Sequence, residues 1–209
     1  MDTRKQILAA AWTLFGEKGF EDVSVRDITN AAGVNLASVS YHFGSKEGLI
    51  QETVKLCMNP INEYRIKLLE GEVKQYGDQG DVPLERIIHA LMRPAVIPEE
   101  CGVSSGLMLR LVARYLIESD YNIPSVSRNL YTDVFRTFAS ALQQHFPHMS
   151  VAQIITRIVF ATGSTIYYHG LGKIAMELSS GSCDAEIDRE AMLKDIIDFT
   201  MNGFGGNPQ

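Results

Sequence analysis

Helix-start signals recur along this chain, each followed by apolar residues at helical spacing, and no stretch alternates in the manner of a strand. Thr3-x-x-Gln6 reads as a capping box ahead of Ile7, Ala11, Leu14 and Phe15, closed by Gly19. Ser24-x-x-Asp27 opens a second helix, stapled by Val23 and Ile28 and stopped at Gly33. Asn35 caps a third, with Val34 and Val39 as its staple, and Phe43-Gly44-Ser45 breaks it. Ser45 then caps a long fourth helix carrying Leu49, Ile50, Val54, Cys57, Met58 and Ile61. Asn59-Pro60 either kinks that helix or ends it, because proline fits a first helical turn and not an interior one. Residues 71–81, rich in Gly and Asp, predict a loop.

Further on, Leu84, Ile87, Ile88, Leu91 and Met92 mark a helix that Pro94 and Pro98 terminate. Leu107, Met108, Leu111, Val112 and Tyr115 mark another, and Val126, Leu130, Val134, Phe138 and Leu142 a third, closed by Pro147. Ser150-x-x-Gln153, with Met149 and Ile154 as staple, opens a strongly apolar helix over 151–169. A loop at Ser179 to Cys183 precedes the last helix, over 186–202. The expectation is an all-α protein of about nine helices, on the helical period of these stripes.

Composition narrows the class. Charges are scattered through residues 1–20, and no window reaches the roughly 18 uncharged residues of a membrane span, so a soluble cytoplasmic protein is expected. Cys57, Cys101 and Cys183 form no CxxC pair and suggest neither a disulfide framework nor a zinc site. The net charge of -6 is unhelpful to a nucleic-acid binder. Yet within residues 1–50 the cations Arg4, Lys5, Lys18, Arg26 and Lys46 are nearly balanced by acids, and most of the deficit lies beyond. A near-neutral head can bind DNA if its cations face the phosphates.

Two short helices joined by Ala32-Gly33-Val34-Asn35 have the dimensions of a helix-turn-helix. On a helical wheel Val39 and Phe43 fall together, with Leu36 near them, facing the core. The opposite face is Ala37, Ser38 and Tyr41, flanked by Ser40 and His42, small and hydrogen-bonding residues that suit a helix lying close in a major groove. Lys46, in the first turn of the fourth helix, could hold a phosphate together with free backbone N–H groups. The same geometry would also suit a helical hairpin that merely packs.

Ile7 through Phe20, then Val25-Arg26-Asp27-Ile28-Thr29-Asn30-Ala31-Ala32-Gly33-Val34, then Tyr41-His42-Phe43-Gly44-Ser45-Lys46-Glu47-Gly48-Leu49, resemble the TetR family of bacterial repressors. The resemblance covers about the first fifty residues. It implies an all-helical homodimer with a helix-turn-helix DNA-binding domain over 1–48 and a ligand-binding and dimerisation domain over 49–209. The implied partners are an inverted-repeat operator in double-stranded DNA and a small-molecule inducer, with no membrane and no cofactor. The DNA-contacting candidates are Arg26, Asn35, Leu36, Ala37, Ser38, Ser40, Tyr41, His42 and Lys46. Many family members carry tyrosine where this chain has Ser40, so the phosphate role of that aromatic passes to Tyr41. The run Asn35 to Phe43 is similar to a proteobacterial subgroup that includes fatty-acid-responsive repressors.

Beyond residue 50 the residues offer candidates with rivals beside them. Met92, Leu107, Met108, Leu111 and Phe138 could line a pocket for an apolar inducer, and could equally fill a solid core. Arg110 and Arg114, one turn apart, could anchor an anion or form a solvated face. Tyr167, Tyr168 and His169 read as core or interface aromatics. Ile155, Ile158, Ile166, Met192, Ile196 and Phe199 are the candidates for an interface of four helices between two chains. Gly102-Val103-Ser104-Ser105-Gly106 fits the hydrolase pattern G-x-S-x-G, but that motif needs a strand before Ser104 and Pro98 to Cys101 predicts none. No catalytic residue is assigned. His145 and His148 bracket Pro147 in a geometry unsuited to two metal ligands, and no metal site is expected. The rival readings are thus a thiol-based redox sensor and a helical hydrolase using Ser104.

Overall fold

Several helices here begin where a side chain accepts an otherwise unpaired amide. The structure, a computed structural model, describes residues 2–77, 80–118, 125–180 and 188–205, with all of their side chains except those at 105, 107, 109, 116–118, 125–130, 169, 170, 172, 173, 175, 176, 179 and 180. Thr3–Lys18 (α1) is capped by Asp2, whose carboxylate accepts the Arg4 N–H at 3.0 Å. The cap therefore falls one residue before the expected Thr3, on the group whose negative charge also suits the positive helix end. Val25–Ala32 (α2) carries the expected capping box, Asp27 N–H donating to Ser24 Oγ and Ser24 N–H to the Asp27 carboxylate. The Ser24 hydroxyl, which donates to the same carboxylate at 2.5 Å, and after it the Ser24 N–H hold the Asp27 carboxyl below its ordinary value.

Ala37–Phe43 (α3) and Lys46–Tyr76 (α4) follow. α4 runs unbroken through Pro60 and on over residues 71–76, where a loop was expected. The buried stripe Val54, Cys57, Met58, Ile61 and Leu69 gives it packing along its length, which outweighs the one amide that Pro60 lacks. Near its end Glu72 pairs with Arg86 of the next helix at 3.3 Å. Leu84–Val96 (α5) keeps Pro94 inside its last turn, so that proline does not terminate it. So late in a helix the missing amide leaves only one carbonyl without its partner. Pro98–Cys101 forms a short 3-10 helix, the remaining helices being Ser105–Glu118 (α6), Ser125–Gln143 (α7), Val151–Ser180 (α8) and Arg189–Gly205 (α9). α8 opens on the expected capping box between Ser150 and Gln153 and continues past residue 169. Residues 179 and 180 close it, and the rest of the loop expected there, with Cys183, lies outside the described residues. Among the described residues there is no strand, and no helix is long and apolar enough to cross a membrane.

Packing divides the chain into two units, Met1–Pro60 with Val103–Leu130, and Ile61–Gly102 with Tyr131–Gln209. These do not coincide with the expected boundaries 1–48 and 49–209. In the first unit α1 lies against α2, α3 and α6. Its core holds Ile7, Ala11, Phe15, Ile28 and Leu49, and Phe20 sits edge-on to both Phe15 and Tyr115. In the second, α5 packs on α8 and α9 around Ile87, Ile88, Leu91, Met92, Phe138 and Ile158. Arg93 binds Glu100 and Glu190 across its rim.

Removing the Ser150 cap tests how far α8 depends on its first turn. Ser150→Ala should lower stability by about 1 kcal/mol, the usual worth of such a cap, read by chemical denaturation. An unchanged midpoint would mean that the box contributes nothing.

Candidate nucleic-acid interface

Gly33 turns the chain between α2 and α3. Its φ of 65° and ψ of 34° are left-handed, and its N–H and that of Val34 return to the carbonyls of Asn30 and Thr29 at 3.2 and 3.0 Å. This is a complete Schellman closure, which satisfies the last carbonyls of α2 and fixes the exit direction. Asn35 then accepts the Ala37 N–H on its side-chain oxygen at 2.9 Å, so the expected cap residue serves α3 although the helix proper starts at Ala37.

α3 is held by one fully buried side chain, Val39, with Phe43 half-buried. Leu36, placed by the wheel near that inward pair, is instead 48% exposed. Its φ of -54° and ψ of -39° are helical, but the turn it opens closes through bonds between residues three apart, Ser38 N–H to Asn35 and Val39 N–H to Leu36, which shifts its phase from that of an α-helical wheel. Asn35, Ala37 and Ser40 are exposed, Ser38 and His42 half-buried, and Tyr41 is 84% exposed with its ring edge-on to His42. The face is therefore hydroxyls, an imidazole and small apolar groups, without a long basic side chain. Arg26 is exposed on α2.

Two contacts unannounced by periodicity fix this helix against α4. Arg4 lies 5.4 Å from the Phe43 ring centre and pairs with Glu52, which also binds Lys55 at 2.6 Å. Lys55 first, then Arg4, holds the Glu52 carboxyl below its ordinary value. Gly48 supplies the second: a Cβ there would collide with the Phe43 carbonyl. Its signal in the sequence is a glycine inside a first helical turn, a position that otherwise disfavours it. Ser45 caps α4 as expected, accepting the Gly48 N–H at 3.1 Å, and Glu47 bonds Ser45, which lowers its carboxyl's pKa. Lys46 is half-buried at the first position of α4.

The remaining candidates separate. Met108 and Leu111 are buried in the first unit, and Arg110 Nε donates to the Gly16 carbonyl at 3.1 Å, tying α6 to the end of α1. Arg114 is half-buried and has partners; the Leu107 side chain lies outside the described residues. Met92 and Phe138 are buried in the second unit, so the expected pocket-lining set is split between the two. Of the expected interface residues, Ile158, Met192 and Ile196 are buried within their own chain, and Ile155 and Ile166 are half-buried. Phe199, at 69% exposure, does face outward, as do Phe160, at 70%, and Tyr167. An apolar stripe on both sides of a helix gives no sign of which side its own core takes. Tyr168 is half-buried, the His169 side chain lies outside the described residues, and His145 Nε2 bonds the Val82 carbonyl at 2.8 Å. A shallow depression of about 210 Å³ between α8 and α9 is lined by Ser164, Tyr168, Met192, Asp195, Ile196 and Phe199.

Comparison with known proteins accords with this arrangement. The model for bacterial regulatory proteins of the tetR family matches residues 7–53, and that for the tetracyclin repressor-like C-terminal domain matches residues 89–203. The biofilm operon icaADBC negative transcriptional regulator IcaR of Staphylococcus aureus (strain Newman) is 36% identical over 59 residues, which is 28% of this chain and 32% of that protein. The match thus spans about a third of the relative's length. HlyIIR, a hemolysin II transcriptional regulator, superposes with a TM-score of 0.60 at 19% identity, covering 94% of this chain and 96% of its own. KstR2, a ketosteroid transcriptional regulator of Mycobacterium tuberculosis, does so with a TM-score of 0.60 at 14% identity, covering 97% and 94%. At such identities the likeness is one of fold.

The two glycines should respond differently to a methyl group. Gly33→Ala meets open space, so its cost is the left-handed backbone alone, about 1 to 2 kcal/mol. Gly48→Ala must displace the Phe43 backbone and should lower the melting temperature further. Equal melting temperatures would show that α3 and α4 do not meet as closely as described.

Proposed function

Because this chain belongs to the tetR family of bacterial regulatory proteins, we propose that it is a DNA-binding transcriptional repressor, a homodimer that occupies an inverted-repeat operator until a small inducer releases it. The observation that carries the reading is the exposed face of α3, presented after a rigid glycine turn. In a major groove Leu36 and Ala37 offer apolar contact to thymine methyls, while Ser38, Ser40, Tyr41 and His42 offer hydrogen bonds. Arg26 and Lys46 serve the phosphates, which position the protein and add affinity without sequence information. Residues 1–48 act as the DNA-binding domain and 49–209 as the ligand-binding and dimerisation domain of a cytoplasmic protein.

Dimerisation falls to the outward faces of α8 and α9. Phe160, Tyr167 and Phe199 are large apolar side chains exposed on these helices, the kind of surface that marks a protein–protein contact. The inducer belongs with the apolar second unit, where Met92 and Phe138 lie. α4 supplies residues to both units and carries Lys46 at its start, so a ligand felt along α4 is felt at the phosphate contact. Coupling of about 1 to 3 kcal/mol would suffice for control.

For Cys57 and Cys101 the thiol-sensor reading is disfavoured by burial, which pushes the first thiol up to about 12 and the second up to about 11, while Cys183 lies outside the described residues. Reactive cysteines need a thiolate at neutral pH. The hydrolase reading lacks its strand, since the 3-10 helix Pro98–Cys101 stands before Ser104.

Lys46→Ala should weaken binding to specific and unrelated DNA alike and reduce the slope of log affinity against log salt by about 0.9 for each lysine lost. Binding equal to wild type at every salt concentration would remove Lys46 from the interface. Phe160→Asp should yield a folded monomer by sedimentation, whereas Ile158→Asp, at a site buried within the chain, should unfold it. A Phe160→Asp dimer would move the interface elsewhere.

A further inference from the structure

Arg65 stands on the buried stripe of α4, one turn after Ile61 and one before Leu69, and is 3% exposed. A charge in such a place is costly unless it is paired. Among the described residues no carboxylate pairs with it. Its Nε donates to the Leu91 carbonyl of α5 at 2.9 Å and its Nη1 to the Asn62 side-chain oxygen at 3.1 Å, both neutral acceptors. Nη2 is engaged by neither bond. Tyr131, whose hydroxyl is buried, and Cys101 are its electrostatic neighbours. Burial draws the guanidinium down to about 10, which leaves it charged at neutral pH. Leu69, Leu91, Met92, Val134 and Phe138 form one apolar cluster on the same three helices that bring these groups together.

We propose that Arg65 anchors the inducer, and that the inducer is an amphiphilic monocarboxylate whose single negative charge sits on this guanidinium while its apolar body lies among the side chains of α4, α5 and α7. The proposal rests on the repressor reading and names its ligand class. A planar carboxylate matches the edge of a guanidinium and can take two of its N–H groups. One cation neutralises one charge, so a phosphate dianion would bring an unmatched charge into the core. An ester or thioester carbonyl is neutral and would leave the guanidinium as it stands. Met92 can rearrange around an apolar body, because an unbranched thioether has many rotamers of similar energy.

Hexanoate, decanoate, hexadecanoate and 3-phenylpropanoate, each beside the alcohol of the same skeleton, are titrated into the full-length protein alone and into its complex with operator DNA. At least one acid should bind about 10- to 100-fold more tightly than its alcohol, the range of a hydrogen bond to a charged group, and should release the DNA. Arg65→Met should erase that preference while keeping operator binding. If Arg65→Met does not fold, Arg65→Lys replaces it and should cut the preference about tenfold, because an ammonium cannot offer the fork. Binding of none of the acids, equal binding of acid and alcohol, or a preference that survives substitution overturns the proposal. Failure of the wild-type protein to bind any operator is a separate result, which would sink the repressor reading instead.

Discussion

A seven-residue helix cannot sustain itself in water, so α3 exists only because its surroundings hold it. It also leaves bare much of the side proposed to meet DNA, so that Val39 is its one fully buried side chain, with Ser38, His42 and Phe43 half-buried. The missing hold comes from backbone geometry at its two ends. On one side is the Schellman closure at Gly33, and on the other the close pass of Gly48 under the Phe43 carbonyl. Arg4 then covers the Phe43 ring and ties it through Glu52 to α4. Everything proposed about recognition assumes that this short helix is rigid before it meets its target.

Much of this was legible in the sequence where a local rule is strong. The boxes at Ser24 and Ser150, the caps at Asn35 and Ser45 and the turn at Gly33 involve residues two to five apart, whose chemistry does not depend on the rest of the fold. Pro60 and Pro94 misled or left a choice open because a proline's local cost is set against packing that the sequence does not display. Residues 71–76 likewise stay helical, composition notwithstanding. On α8 the period revealed that the helix is apolar but not which side is whose. Ile158 turned inward and Phe160, two residues on, turned outward. The exposed face of α3 was readable, apart from Leu36 in the tighter turn ahead of it.

Arg65 shows the opposite kind of signal. A cation at the spacing of Ile61 and Leu69 contradicts the stripe it belongs to, and such a contradiction is where physical cost and function tend to coincide. Arg110 and Arg114 drew attention by being a pair. One of them serves structure, its Nε closing the end of α1.

The attachment of α6 to the first unit bears on how such proteins can be recombined. Phe20 finds an aromatic neighbour in Tyr115, and the Gly16 carbonyl finds a donor in Arg110, both far along the chain from the reading head. A chimera that grafts residues 1–48 onto another regulator's body would bring the head without either neighbour. Transplanting specificity between relatives is therefore less modular than linear order suggests. A graft that carries α6 with the head, or that matches these two contacts in the recipient, preserves what the head was folded against.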